Sequence, residues 1–397
     1  MKKLSVSAAS ILIGALCILS SHYAWSQINI LPSDPLKGRD LFVSKGCIKC
    51  HAVEGKGGVL GPDLGKVQPG YSVLKIAGVM WNHYPTMSEK MKELKIPEQT
   101  FTVGEMAALI AYLYYIHYFD EPGDAARGRA LFREKRCIKC HRIGDEGSPG
   151  GRPLDELKRY VSPISMAQVM WNHGPKIVAR MRQLGVQRPT FGGNEIADLM
   201  AFFREVSKET GGEKVYMLPG NPQRGEQIFA DKGCVRCHTG GEESLGPDLS
   251  SKLFRGNVSQ IAGIMWNHGP QMWRSMRKLG MNPPTFSGNE MADLIAYLYF
   301  LDYFDEPGNP VSGQRIFSEK GCRACHSFYG EKREGPDLSE SSAFASPINA
   351  AAQMWNHASA MKELMEEKMI SWPVFRGQEF VDLVSYFQYL RATKRRE

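Results

Sequence analysis

Cys234-Val235-Arg236-Cys237-His238 is one of four copies of a single pattern in this chain. The others are Cys47-Ile48-Lys49-Cys50-His51, Cys137-Ile138-Lys139-Cys140-His141 and Cys322-Arg323-Ala324-Cys325-His326. One Cys-x-x-Cys alone reads equally well as half a zinc site or as a thiol-redox pair. Here every copy carries the following histidine, and the copies use eight of the nine cysteines. That pattern is the attachment sequence for covalent c-type haem. Each cysteine forms a thioether with a haem vinyl group, and the histidine becomes the proximal iron ligand. A turn of helix sets both sulfurs against one porphyrin edge and aims the imidazole at the iron. The reading therefore expects four haem c groups, held by Cys47, Cys50, Cys137, Cys140, Cys234, Cys237, Cys322 and Cys325, with His51, His141, His238 and His326 as proximal ligands.

The first cysteines of the copies lie 90, 97 and 88 residues apart, the length of small domains rather than of solenoid repeats. Every copy runs in the same order. A short helix carries Gly-x-x-x-Phe (Gly38/Phe42, Gly128/Phe132, Gly225/Phe229, Gly313/Phe317) and leads into the cysteines. A glycine-rich loop then reaches Gly-Pro-Asp-Leu at 61–64, 246–249 and 335–338; the second copy has Arg152-Pro153-Leu154 and no Asp at that place. A helix capped by Ser72, Ser162, Asn257 or Ser346 follows, carrying Met-Trp-Asn-His (Met80–His83, Met170–His173, Met265–His268, Met354–His357). Pro85, Pro175 and Pro270 are expected to kink or restart it. Gly185 and Gly280 read as helix stops, and a Pro/Phe loop leads to a last helix, with Thr102…Glu105 and Ser287…Glu290 as capping boxes. No period-2 strand signal appears. The fold class is all-α, with short turn-rich linkers between copies.

Residues 1–26 read as a secretory signal: Lys2 and Lys3, an apolar stretch over 11–19, and Ala24-Trp25-Ser26 as the cleavage site. Cys17 leaves with it, because Leu16 stands where lipidation requires a small residue. The remaining divisions are 27–121, 122–217, 218–306 and 307–397. After signal cleavage no segment is long enough to span a membrane; the most apolar run, 106–119, falls short of the roughly 20 residues needed. The net charge of +7 becomes +5 without Lys2 and Lys3. The eight propionates of four haems would take it to about −3, so much of the Lys and Arg is read as haem counter-charge, Lys394-Arg395-Arg396 as a solvated basic tail, and no nucleic-acid partner is expected.

Each unit resembles the class I cytochrome c domain, and the likeness covers nearly all of residues 34–397: the Gly/aromatic helix, Cys-x-x-Cys-His, the Gly-Pro-Asp-Leu loop and the aromatic last helix. The resemblance implies four tandem cytochrome c-like domains whose first and last helices cross at Gly38, Gly128, Gly225 and Gly313. Phe42 and its equivalents would pack on Tyr112, Phe202, Tyr297 and Tyr386. The carbonyls of Pro62, Pro247 and Pro336 would hold the proximal histidine, with Pro153 the candidate in the altered second copy.

The family usually places a methionine on the distal side, upstream of the last helix. Counted from the Trp, the histidine at +2 and the methionine at +10 occur in every copy, whereas at +6 Met87, Met272 and Met361 are joined by Ile177. The reading takes Met91, Met181, Met276 and Met365 as distal ligands, with His83, His173, His268 and His357 as the alternative. Trp and Asn are expected to pack on the haem and its propionates. His/Met ligation would raise the reduction potential relative to His/His.

These features describe an exported, periplasmic electron carrier rather than an enzyme, membrane-anchored only if the signal of residues 1–26 is retained, with redox proteins, including a membrane-bound respiratory complex, as partners. Arg136, Arg142 and Arg152 around the second haem, against Glu242 and Glu243 near the third, would spread the potentials. The rival is a haem enzyme, a peroxidase or sulfur-compound oxidase, with one open iron in the second domain.

Overall fold

A computed structural model describes residues 36–67, 72–118, 123–156, 162–207, 220–238, 244–249, 256–339 and 341–394. The signal segment with Cys17, the linker residues 120–122, Glu242, Glu243 and the final basic residues Arg395 and Arg396 lie outside them.

The first unit consists of α1 (Lys37–Ser44), a single 3-10 turn at Cys47–Lys49, α2 (Val73–Glu93) and α3 (Val103–Tyr115). The second repeats this with α4 (Ala125–Glu134), α5 (Pro163–Gln183) and α6 (Glu195–Val206), and the third with α7 (Pro222–Asp231), α8 (Val258–Lys278) and α9 (Glu290–Phe300). The fourth has α10 (Pro310–Glu319), α11 (Pro347–Glu367) and α12 (Glu379–Lys394). The architecture is all-α. The only strands among the described residues form two tiny hairpins, Ala52–Val53 with Lys56–Gly57 and Arg142–Ile143 with Glu146–Gly147. Two-residue strands are too short to carry a period-2 pattern, which is why the sequence shows none.

Within each unit the first and last helices cross at the glycine. A Cβ placed on Gly38 would lie 2.0 Å from the Ala108 carbonyl oxygen, and one on Gly128 2.0 Å from that of Asp198. No other residue fits so close a backbone approach. Beside each crossing the expected aromatic pair forms, with ring centroids at 5.8 Å for Phe42–Tyr112, 6.0 Å for Phe132–Phe202, 5.4 Å for Phe229–Tyr297 and 6.3 Å for Phe317–Tyr386.

The long middle helix has 21 residues in every unit, and in the first three it runs unbroken through its internal proline. Proline at position i frees the carbonyl at i−4, which here is that of Trp81, Trp171 or Trp266. Two of these carbonyls are taken by side chains from another unit: the Trp372 indole donates to Trp81 (3.1 Å), and the Arg188 guanidinium donates to Trp266. Tertiary packing thus replaces the lost helix bond.

The Trp-Asn pair faces another unit, which corrects the expectation that it packs on haem. Trp81 Nε1 donates to the Pro373 carbonyl (2.8 Å), and Asn82 exchanges two bonds with the backbone of Phe375, Nδ2–H to its carbonyl (2.7 Å) and its N–H to Oδ1 (2.8 Å). The grip is returned, with Trp355 donating to Gln99 (2.7 Å) and Asn356 clasping Phe101 (2.8 and 2.9 Å). Units two and three repeat it: Trp171 donates to Pro284 and Asn172 clasps Phe286, while Trp266 donates to Pro189 and Asn267 clasps Phe191. Each primary amide pairs with one residue's N–H and C=O as a neighbouring strand would.

Units one and three meet through a buried aromatic cluster. Tyr114 and Tyr299 each donate a hydroxyl to the other's carbonyl (2.8 Å both ways), surrounded by Tyr115, Tyr118, Phe300 and Tyr303. Next to it Asp305 accepts from Leu74 N–H (2.9 Å) and the Ser72 hydroxyl, so the cap of α2 is supplied by the third unit and not by Ser72 itself. Ser162, Asn257 and Ser346 cap their helices as the sequence predicts. The principal contacts run fourth–first–third–second.

Replacing Asn172 with Leu removes one clasp and leaves the Phe286 N–H and carbonyl without partners. Chemical denaturation should show a loss of about 1–3 kcal/mol, whereas a variant at exposed Arg180 should lose far less.

Candidate haem sites

Each site begins where the first helix ends. The residue before the first cysteine has a left-handed backbone: Gly46 (φ 82°), Gly233 (φ 79°), Gly321 (φ 78°) and, in the second unit, Arg136 (φ 65°). The reversal starts a 3-10 turn in which the histidine N–H bonds the carbonyl of the first cysteine, at 3.0 Å for His51, 2.9 Å for His141, 3.1 Å for His238 and 3.0 Å for His326. Cysteines and histidine thereby lie along one turn.

The imidazole is fixed from its far side. Nδ1 lies 3.0 Å from the Pro62 carbonyl for His51, 3.0 Å from Pro247 for His238 and 3.2 Å from Pro336 for His326. A carbonyl only accepts, so Nδ1 carries the proton and Nε2 keeps its lone pair for a metal. In the second unit the acceptor is Arg152 (2.9 Å) and not Pro153. The loop supplies a backbone carbonyl, so any residue serves there. The glycine just before it is not interchangeable: a Cβ on Gly61 would fall 2.4 Å from the His51 ring, and one on Gly151, Gly246 or Gly335 would fall 2.7–2.8 Å from theirs. Sequence reasoning passed over this role.

Asp63 organises the loop by accepting N–H bonds from Glu54 (3.0 Å), Gly55 (2.8 Å) and Gly65 (3.0 Å). The second unit lacks an Asp at that place, but Asp155, two positions later, accepts from Gly144 N–H (3.1 Å). The departure noted there is repaired by a neighbour.

A second repeated device was missed: a lysine two residues before the first cysteine. Lys45, Lys135, Lys232 and Lys320 each donate to a carbonyl of the Pro/Phe loop (Thr100, Thr190, Thr285, Val374; 2.7–2.9 Å). Each also pairs with the glutamate opening the last helix (Glu105, Glu195, Glu290, Glu379; 2.7–3.1 Å). Its fourfold recurrence at fixed spacing was the available signal.

Burial pushes the first thiol of each pair, Cys47, Cys137, Cys234 and Cys322, up to about 11. A redox-active dithiol needs the opposite shift. Among the described residues no group of three or more His, Cys, Asp or Glu side chains converges as zinc ligands would. The donor set fits haem instead: two sulfurs on one turn and an imidazole nitrogen held free.

On the middle helix the positions +2, +6 and +10 are four apart and share one face. His83, His173, His268 and His357 are exposed on it. Met181 and Met276 are buried, while Met91 and Met365 are half-buried.

The Cytochrome c family model matches residues 36–116, 125–207 and 222–301. The chain therefore belongs to the cytochrome c family, as an all-α protein of tandem cytochrome c domains that bind haem c covalently. Comparison with curated proteins and with solved structures gave no match. No helix among the described residues is long and apolar enough to cross a membrane.

Asp63 supports a pH prediction. Burial opposes its ionisation, but the N–H bonds from Gly55, Gly65 and Glu54 outweigh it, so its carboxyl sits below the ordinary value. Its hold on the loop is complete above the ordinary carboxyl pKa and is lost as pH falls through the lowered one. Amide exchange at Gly55 and Gly65 should accelerate in that acid window and be fast throughout in D63A.

Proposed function

We propose that this protein is an exported four-haem electron carrier working between a membrane respiratory complex and a periplasmic acceptor. The observation that carries the reading is the fourfold attachment turn whose histidine is pinned by a backbone carbonyl through Nδ1, leaving Nε2 for iron. The fourth unit, beyond the stretches the family model matches, repeats the same turn, glycine and lysine clamp. It therefore counts as the fourth haem domain. Haem supplies one-electron chemistry. The chain's contribution is to hold each group covalently, orient its proximal ligand and fix the units through the Trp-Asn clasps.

The alternative, a haem enzyme acting at the second unit, rests on that unit's altered loop and on Ile177 at +6. Arg152 and Asp155 restore the carbonyl and the loop anchor there, and an isoleucine side chain supplies neither acid nor base, so the carrier reading is favoured. Export accords with the haem chemistry and with residues 1–26 as a signal.

The mature holoprotein is expected to carry four haems by pyridine haemochrome assay against protein mass. The double variant Cys322→Ala/Cys325→Ala should lose one. Three haems in the parent, with the variant unchanged, would remove the fourth unit from the reading; none at all would overturn it.

A further inference from the structure

We propose that His83, His173, His268 and His357, and not the methionines eight residues later, are the distal ligands, so that every haem is held between two imidazoles. This rests on the haem reading above and adds the identity of the sixth ligand.

The first support is the hydrogen bonding of these side chains. Each places Nδ1 against the carbonyl four residues earlier in its own helix: Val79 (2.8 Å), Val169 (3.1 Å), Ile264 (2.9 Å) and Gln353 (2.8 Å). By the argument used for the proximal ring, Nδ1 is the donor and Nε2 keeps its lone pair. A backbone carbonyl on the non-ligating nitrogen is the arrangement that orients an imidazole for a metal. All eight histidines, four proximal and four on the middle helix, share it.

The second support is that the rival methionines have another explanation. The middle helix ends in all units with a left-handed residue: Lys95 (φ 54°), Gly185 (φ 62°), Gly280 (φ 68°) and Met369 (φ 55°). The next N–H bonds back to the +10 carbonyl: Ile96 to Met91 (2.8 Å), Val186 to Met181 (2.9 Å), Met281 to Met276 (2.9 Å) and Ile370 to Met365 (2.8 Å). This is a Schellman stop, in which the residue whose carbonyl accepts and the residue whose N–H donates are commonly both apolar. An apolar side chain at +10 in every unit follows from how the helix ends. The exposed histidines have no such role, since an exposed imidazole contributes little packing.

Position supports the same assignment. The histidine stands two turns before +10 on the same face and is exposed in every unit, whereas Met181 and Met276 are buried. At +6 Ile177 cannot ligate.

The test is low-temperature electron paramagnetic resonance of the oxidised holoprotein, with H268A and M276L beside the parent. The expected parent shows low-spin bis-imidazole signals only and lacks the sulfur-to-iron charge-transfer absorption of His/Met haem. H268A should turn a single haem high-spin, restored to low spin by added imidazole, with circular dichroism unchanged; M276L should keep every haem low-spin. A sulfur charge-transfer band in the parent that M276L weakens, or an H268A spectrum identical to the parent, would overturn the assignment while leaving the haem reading intact. A sample without haem by pyridine haemochrome would overturn both.

Discussion

The Trp-Asn clasp is the interaction on which the arrangement of the four units depends. One primary amide satisfies both hydrogen-bonding groups of a phenylalanine backbone, and the adjoining indole donates to a carbonyl of the same loop. The loop so gripped is the one that leads into the last helix of a different unit, and the grip is mutual. Such a loop would otherwise expose or bury its polar backbone unsatisfied, at a cost of about 1–3 kcal/mol per group. The clasp joins the first unit to the fourth, at opposite ends of the chain, and the second to the third, its neighbour. The tyrosine pair Tyr114–Tyr299 and the Asp305 cap then join the two pairs. A string of four domains becomes a connected body whose order in space differs from its order in the sequence.

Around the haem-binding turns the same economy holds on a smaller scale. The left-handed residue, the 3-10 turn and the loop carbonyl fix the proximal histidine using backbone groups, so the sequence there can drift without loss. The second unit demonstrates this, with Arg152 and Asp155 in place of the proline and aspartate used elsewhere. What cannot drift is the glycine beside the imidazole, where any side chain would collide with the ring. The lysine clamp ties the first helix to the glutamate that opens the last helix. It thus couples the attachment turn to the loop that the clasp holds.

Much of this was legible in the sequence because the determinants are local and repeated. The cysteine-histidine motif, the helix order, three of the four N-caps, the glycine crossings and their aromatic partners all follow from residues within one unit. What was hidden depends on residues far away. Nothing near Trp81 announces that its indole meets Pro373, or that the carbonyl freed by Pro85 is taken by Trp372. A proline inside a helix reads as a break unless the distant donor is known. The helix stop at the +10 methionine was only half legible, because Lys95 and Met369 take the left-handed turn that Gly185 and Gly280 take in the other two units.

The most direct test of the account is amide hydrogen exchange read by mass spectrometry on the intact holoprotein. The Phe375 N–H donates to Asn82 Oδ1 and the Phe101 N–H to Asn356 Oδ1, each across the contact between the first and fourth units. The account predicts that both amides are protected in the parent and that Asn82→Leu speeds exchange at Phe375. Fast exchange at Phe375 in the parent, or exchange unchanged by Asn82→Leu, would contradict it.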